Sequence, residues 1–223
     1  MRIIDTFKIL VDYFPAFLAG TSVTLELSAI VWLSGILFGV PLGILAAKNK
    51  DLGKFSKTTN FIISSIPVLV FLFWLHYPAQ SALGLVIDPF YTAALTFSLI
   101  NIFGVSELVR NAINTFPKQY LTAALVCGLN KKTTLIKIQL PLILRNILPA
   151  LLILQITMLH VTLFASLISV DELFRTAQRI NSQIYKPIEI YTGLAIFFLL
   201  ICLPINILAS KLQKRYSRDY SER

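Results

Sequence analysis

The chain has 223 residues, 56% of them hydrophobic and only 14% charged, with a net charge of +9 and a mean hydropathy of +0.75. So few polar side chains cannot coat a water-soluble globule, and so apolar a composition is not that of a disordered chain; both classes are excluded. The excess of Lys and Arg suits either nucleic acid or a membrane surface, and its distribution along the chain decides between them.

The N-terminus, Met1-Arg2-Ile3-Ile4-Asp5 with Lys8 and Asp12 following, lacks the basic, apolar and small-residue order of a cleaved signal peptide, so the first apolar run is expected to remain in the protein. About 20 predominantly apolar residues carry a helix across a bilayer, and five segments approach that length. The first covers about 19–47 and holds one charge, Glu26; the second covers about 61–77 and contains Pro67. The third, about 90–109, holds Asn101 and ends near Glu107. The fourth, about 147–167, carries Gln155, His160 and Thr162, and the fifth, about 188–210, contains Pro204 and Asn206. Unclosed strands would leave backbone groups unpaired in lipid, so all five are expected to be helices. The predicted fold is an all-α integral membrane protein, a single domain over 1–223 with five transmembrane helices.

Fifteen of the twenty Lys and Arg residues fall on one side of this arrangement: Lys48 to Lys57, Arg110 to Arg145, and Lys211 to Arg223. The positive-inside rule then puts the N-terminus outside and the C-terminus in the cytoplasm. The basic residues follow topology and form no separate domain, which argues against a nucleic-acid partner.

The loop between helices 3 and 4, about 111–141, is long for a plain connection. Phe116, Tyr120, Ala124 and Cys127 recur at helical spacing after Pro117, Gly128 ends that helix, and Asn130-Lys131-Lys132 reads as a turn before an apolar stretch that stops at Pro141. Two short helices on the cytoplasmic face are expected, there either to dock a partner or to rest on headgroups. Between helices 4 and 5, apolar residues at 173, 174, 177 and 180 predict a short amphipathic helix on the outer surface. It could close a gate, meet a binding protein or lie on headgroups.

Catalytic chemistry finds little support. Cys127 and Cys202 stand far apart in apolar surroundings and read as packing residues, and His76 and His160 have no ligand-spaced neighbours, so neither a disulfide nor a metal site is expected. No Gly-x-x-x-x-Gly-Lys-Ser/Thr loop occurs, so any nucleotide must be bound by another subunit.

Thr122-Ala123-Ala124, three residues, Gly128, nine residues and then Ile138-Gln139-Leu140-Pro141 resembles the EAA loop of permease subunits in binding-protein-dependent ABC importers. Phe116-Pro117-Lys118 is similar to the segment that introduces that loop. The resemblance implies a coupling helix, with Thr122, Ala123, Ala124, Gly128, Ile138, Leu140 and Pro141 meeting a cytoplasmic ATPase. It also implies two ATPase subunits carrying ATP and Mg, with no cofactor on this chain, a second permease chain, an extracytoplasmic solute-binding protein, and a place in the bacterial cytoplasmic (inner) membrane. Thr122 departs from the glutamate common at its position.

Two further stretches resemble the polar amino-acid branch, the histidine, glutamine and arginine permeases. Glu107-Leu108-Val109-Arg110-Asn111-Ala112-Ile113 matches the segment before the coupling loop, and Glu107 and Arg110 are spaced to pair on one helix face. The stretch from His160 to Leu173 is similar to one that usually reads Lys-Asp-Thr-Ser-Leu and continues to Glu-Leu; here His160 replaces the lysine, Val161 the aspartate and Leu163 the serine, while Thr162 is kept. Ser64-Ser65-Ile66-Pro67 stands where Arg-Gly-Thr-Pro is frequent. What the resemblance implies is import of a polar amino acid, with His160, Thr162 and Glu107 as candidate pathway residues; the alternatives are another small solute (peptide, methionine or anion) or a non-transport membrane assembly protein. The missing Lys-Asp pair leaves fewer charges to line a pathway, which favours a heterodimer whose second permease supplies most solute contacts.

Overall fold

Long apolar runs with few breakers form long helices, and the places where they break have local causes. A computed structural model describes residues 9–221, with side chains through 216. α1 runs over Phe14–Lys48, α2 over Lys50–Ser65, α3 over Val68–Leu83, α4 over Pro89–Asn114 and α5 over Lys118–Val126. α6 covers Lys131–Ile168, α7 Leu173–Ile184 and α8 Pro187–Ser221. No strand occurs among the described residues. Of these helices, α1, α4, α6 and α8 are each long and apolar enough to cross a bilayer, and α2 with α3 makes a fifth candidate bent by 96°.

That bend corrects the expected second span. Residues 61–77 are not one helix: Phe61 to Ser65 end α2, Ile66 is extended at φ −92°, ψ 127°, and α3 starts at Val68 in a direction 96° away. The cause is Pro67, whose ring disfavours helical geometry in the residue before it. At the other end of α2, Asn49 breaks from α1 in an extended conformation and its side-chain oxygen accepts from the Asp51 and Leu52 amides, satisfying donors left orphaned at a helix start.

Pro141 behaves opposite to expectation. It does not stop a helix: α6 passes through it without a break, as an α-helical start, a π-helical segment Leu135–Gln139 and an α-helix Leu140–Val161. A proline lacks the N–H for the i−4 bond and presses on that carbonyl, and the wider π turn just before it removes both demands. The same pairing recurs in Gly35–Gly39 before Pro41 and in Leu75–Ala79, which contains Pro78.

α4 is the central element. Along α1, Gly35, Gly39 and Gly43 form a strip one turn apart that lies directly on it. A Cβ on Gly39 would sit 2.7 Å from the Ile102 carbonyl oxygen, and one on Gly43 would sit 2.6 Å from that of Ser106. Gly35 leaves room for Asn101, which is wholly buried. The Asn101 amide donates to the Val31 carbonyl at 2.7 Å and to Gln155 Oε1 at 3.0 Å, Gln155 donates back at 3.3 Å, and the Trp32 indole donates to the Gln155 carbonyl at 2.9 Å. One polar knot thereby ties α1, α4 and α6 where an unpaired amide would be costly.

The amphipathic α7 packs on the start of α1. Leu173, Ala177 and Ile180 are buried with Phe17, Ile190 and Leu194, so its apolar face covers protein and is not available for headgroups.

Candidate functional site

The sequence pointed to two places, the loop after α4 and the region around His160. The loop begins where Glu107 and Arg110 pair as predicted: Arg110 Nε and Nη2 donate to the two Glu107 carboxylate oxygens at 2.9 and 2.6 Å, and Asn111 adds a third donor at 3.1 Å. All of Glu107's charge is thus satisfied within its own helix, which makes it a structural pair at the end of α4.

α5 follows after Pro117 and is nine residues long. It ends on Gly128, which has φ +72°. The Gly128 amide donates to the Leu125 carbonyl at 2.9 Å and the Leu129 amide to that of Ala124 at 3.0 Å, the paired bonds of a Schellman turn. Glycine is needed here for its left-handed backbone, not for space, since nothing lies within 4 Å of where its Cβ would be. Asn130 then caps α6 by accepting from the Thr133 amide at 2.8 Å.

The residues of the motif divide by exposure. Ala124 is buried beneath α5, while Thr122, Ala123 and Gly128 are exposed. The Thr122 hydroxyl donates to the Lys118 carbonyl at 3.2 Å, so it is spent on its own helix. Ile138 and Pro141 are half-buried, and Leu140 is exposed. Sequence reasoning passed over the most conspicuous pair: Leu125 and Val126, at the tip of α5, are 70% and 84% exposed. They were overlooked because they occupy the unspecified positions between Ala124 and Gly128. Cys127 is exposed beside them, which corrects its reading as a packing residue; Cys202 is buried.

His160, Thr162 and Glu107 do not converge. Thr162 is wholly buried and donates to the Leu159 carbonyl at 2.7 Å. His160 is exposed on α6, with Nε2 3.5 Å from Cys202 Sγ on α8. Glu107 lies on α4 near Ser106, which meets Ser56 of α2 at 2.9 Å. A cleft of about 670 Å³ opens elsewhere, between α3 and the start of α4, lined by His76, Tyr77, Gln80 and Val86 among others.

Glu172 was also missed. It is wholly buried at the start of α7, where its two carboxylate oxygens accept from the Phe174 and Arg175 amides at 2.9 and 2.8 Å. Burial pushes its pKa up to about 7, outweighing those two amides and the Arg175 charge. Arg175 in turn reaches Asp171 at 3.2 Å and the Ser166 carbonyl at 3.0 Å. Glu26, by contrast, faces outward from α1 and makes no hydrogen bond or ion pair among the described residues.

Among the described residues the chain is helical throughout its regular structure, with four helices long and apolar enough to cross a bilayer, the architecture of a multi-pass membrane protein. The chain belongs to the family described as binding-protein-dependent transport system inner membrane component, whose match covers residues 39–218. It is 28% identical over 207 residues to the glutamine transport system permease protein GlnP of Escherichia coli (strain K12), covering 90% of this chain and 93% of that one. To the L-cystine transport system permease protein TcyB of Bacillus subtilis (strain 168) it is 29% identical, covering 92% and 96%. Among solved structures it is similar to an amino acid ABC transporter with histidines, at a TM-score of 0.83 and 26% identity over 94% of this chain and 98% of that one. The fold also matches the MetNI methionine ABC transporter, at a TM-score of 0.73 and 18% identity, covering 92% and 98%.

Proposed function

We propose that this chain is the transmembrane subunit of an ATP-driven importer for a polar amino acid, passing ATPase closure to the spanning helices through α5. The observation that carries the coupling role is the tip of α5, where Leu125 and Val126 stand exposed beside Gly128. Exposed apolar side chains of that size on a short helix flanked by Lys118, Lys131 and Lys132 suit a partner that covers them. Thr122, Ala123 and Ala124 shape the same short helix, and the segment from Ile138 to Pro141 carries its displacement into α6 without a break in the helix.

Nucleotide and magnesium belong to two separate ATPase subunits, and this chain performs no hydrolysis. A solute-binding protein delivers the amino acid on the outer side, and a second, different permease chain completes the pathway. The amino-acid assignment draws on relatives named for glutamine and cystine transport. Closing of the ATPases biases the bundle between two states that differ in their contacts, which is what alternating access requires. His160 is the residue of this chain proposed to face the solute.

The test is ATPase activity of the assembled complex in nanodiscs, with binding protein loaded from a panel of polar amino acids. Stimulation by one loaded amino acid is expected. Stimulation by none, with ATPase bound, would refute the substrate class; absence of bound ATPase would refute the coupling role of α5.

A further inference from the structure

The 16 residues of α2 have a pattern that neither spanning nor coupling explains. At 3.6 residues per turn, about 100° each, they divide into three arcs. Gly53 and Ser56 are buried, with Asn60 and Ile63 half-buried, on the side facing the bundle. There a Cβ on Gly53 would lie 2.7 Å from the Ala46 carbonyl oxygen, and Ser56 meets Ser106 of α4. A second arc holds Leu52, Phe55 and Ile62, which are 37%, 59% and 54% exposed. The third holds Lys50, Lys54 and Lys57, all exposed, and, one turn beyond them on the same side, Phe61, 69% exposed. The lysine arc and the apolar arc are roughly 145° apart around the helix axis at that periodicity.

The fold fixes how these arcs stand in the bilayer. α3 lies beside α4, with Leu72 clustered with Ala93, Ala94 and Phe97, and is the arm of the bent pair taken to cross. α2 meets α3 at 96°, so with α3 as the crossing arm it lies along the membrane plane. Its depth is that of Ser106 and the Glu107–Arg110 pair, where the apolar part of α4 gives way to charge; Lys57 is close enough to attract Glu107. A helix in this plane, with lysines on one side of its first two turns, Leu52, Phe55 and Ile62 almost opposite, and Phe61 adding apolar surface beyond the lysines, matches the boundary between headgroups and acyl chains.

We propose that α2 is an interfacial helix that binds anionic phospholipid headgroups through Lys50, Lys54 and Lys57 while Leu52, Phe55 and Ile62 enter the acyl region. Charge complementarity selects the occupant: one protein neighbour could cover the apolar arc or the basic arc, whereas a lipid surface meets both at once. Near an anionic surface each lysine attracts headgroup phosphates, and Asp51 is the helix's own opposing charge. This inference depends on the chain crossing a membrane and not on the identity of its solute.

Two measurements on the full-length chain, purified with the subunits it assembles with, test it. In the first, selectivity for spin-labelled phosphatidylglycerol over phosphatidylcholine is read by electron paramagnetic resonance. The combined Lys50→Gln, Lys54→Gln and Lys57→Gln variant should lose at least about fivefold of that selectivity, roughly the worth of one lysine near such a surface. Lys→Arg at the same positions should retain it, and Lys186→Gln, just before α8, should leave it unchanged. Equal selectivity in the wild type and the triple Gln variant overturns the proposal. In the second, a bimane label on Phe55→Cys, in a Cys127→Ser background, should be quenched most by lipids brominated near the headgroup end of the acyl chain. A label that no brominated lipid quenches means that protein covers the arc, and overturns the proposal independently of the charge result.

Discussion

Two residues set by their surroundings, Glu172 and His160, carry predictions at the smallest scale. Glu172 has a folded-state pKa of about 7, raised by burial from the model-compound 4.5. Between those values the folded chain binds more protons than the unfolded one, so stability falls as pH rises through that window and the loss is complete above pH 7. The size is up to about 3 kcal/mol at about 1.4 kcal/mol per pKa unit. Glu172→Gln keeps an acceptor for the Phe174 or Arg175 amide and removes the titration. Thermal unfolding at pH 8 should therefore favour the variant, with the gap closing toward pH 5; a gap independent of pH would refute the assignment. His160→Ala should lower uptake by roughly tenfold, the worth of one hydrogen bond to solute, with assembly intact. If Cys202→Ala lowers uptake equally, His160 acts by bracing α8 and not by meeting solute. Neither environment was readable in the sequence: the helix start that holds Glu172 is seated by contacts remote in the chain, where the Leu173 amide donates to Thr24 and the Leu173 side chain clusters with Phe17 and Ile190.

At the scale of helices, what decides stability is how closely α1 and α4 approach. Gly39→Ala places a methyl 2.7 Å from the Ile102 carbonyl oxygen and 2.9 Å from Val105 Cβ, and overpacking of that kind costs about 1–3 kcal/mol. Gly104→Ala on α4 meets only Leu154 side-chain carbons at 3.6 Å or more, and alanine is better than glycine in a helix by up to about 1 kcal/mol. The two substitutions should shift the unfolding temperature in detergent in opposite directions; a shift of the same sign would mean that α1 and α4 are not held at this distance. Composition and hydrophobic length alone revealed the long helices α1, α4, α6 and α8, because twenty apolar residues have few other options. The bend at Pro67 and the passage through Pro141 were harder. Both involve proline, and the sequence does not reveal that a π turn precedes Pro141 while an extended residue precedes Pro67. The glycine strip was in plain view at 35, 39 and 43, but which helix it touches is a tertiary fact.

For the whole molecule, the coupling role proposed for α5 and the folding of the chain make opposite demands on that helix. A side chain that serves only the fold loses stability when altered, whereas one that serves an absent partner does not. Val126 is 84% exposed and Leu125 70%, so replacing Val126 with aspartate should change the stability of the isolated subunit by no more than about 0.5 kcal/mol. If the ATPase seats on this tip, the same change buries a charge without a partner, and a loss of about 2 kcal/mol, near thirtyfold in affinity, is the scale of an interface hot spot. Ala124→Asp should do the reverse, because Ala124 is buried within the chain and a carboxylate there strikes folding first. Thermal unfolding of the permease and co-purification of the ATPase, measured on both variants, separate the two roles. Normal folding with ATPase lost for Val126→Asp is the expected result. Retained ATPase would move the docking surface off the tip of α5 and onto the exposed apolar side chains Leu135, Ile136 and Leu140 of α6.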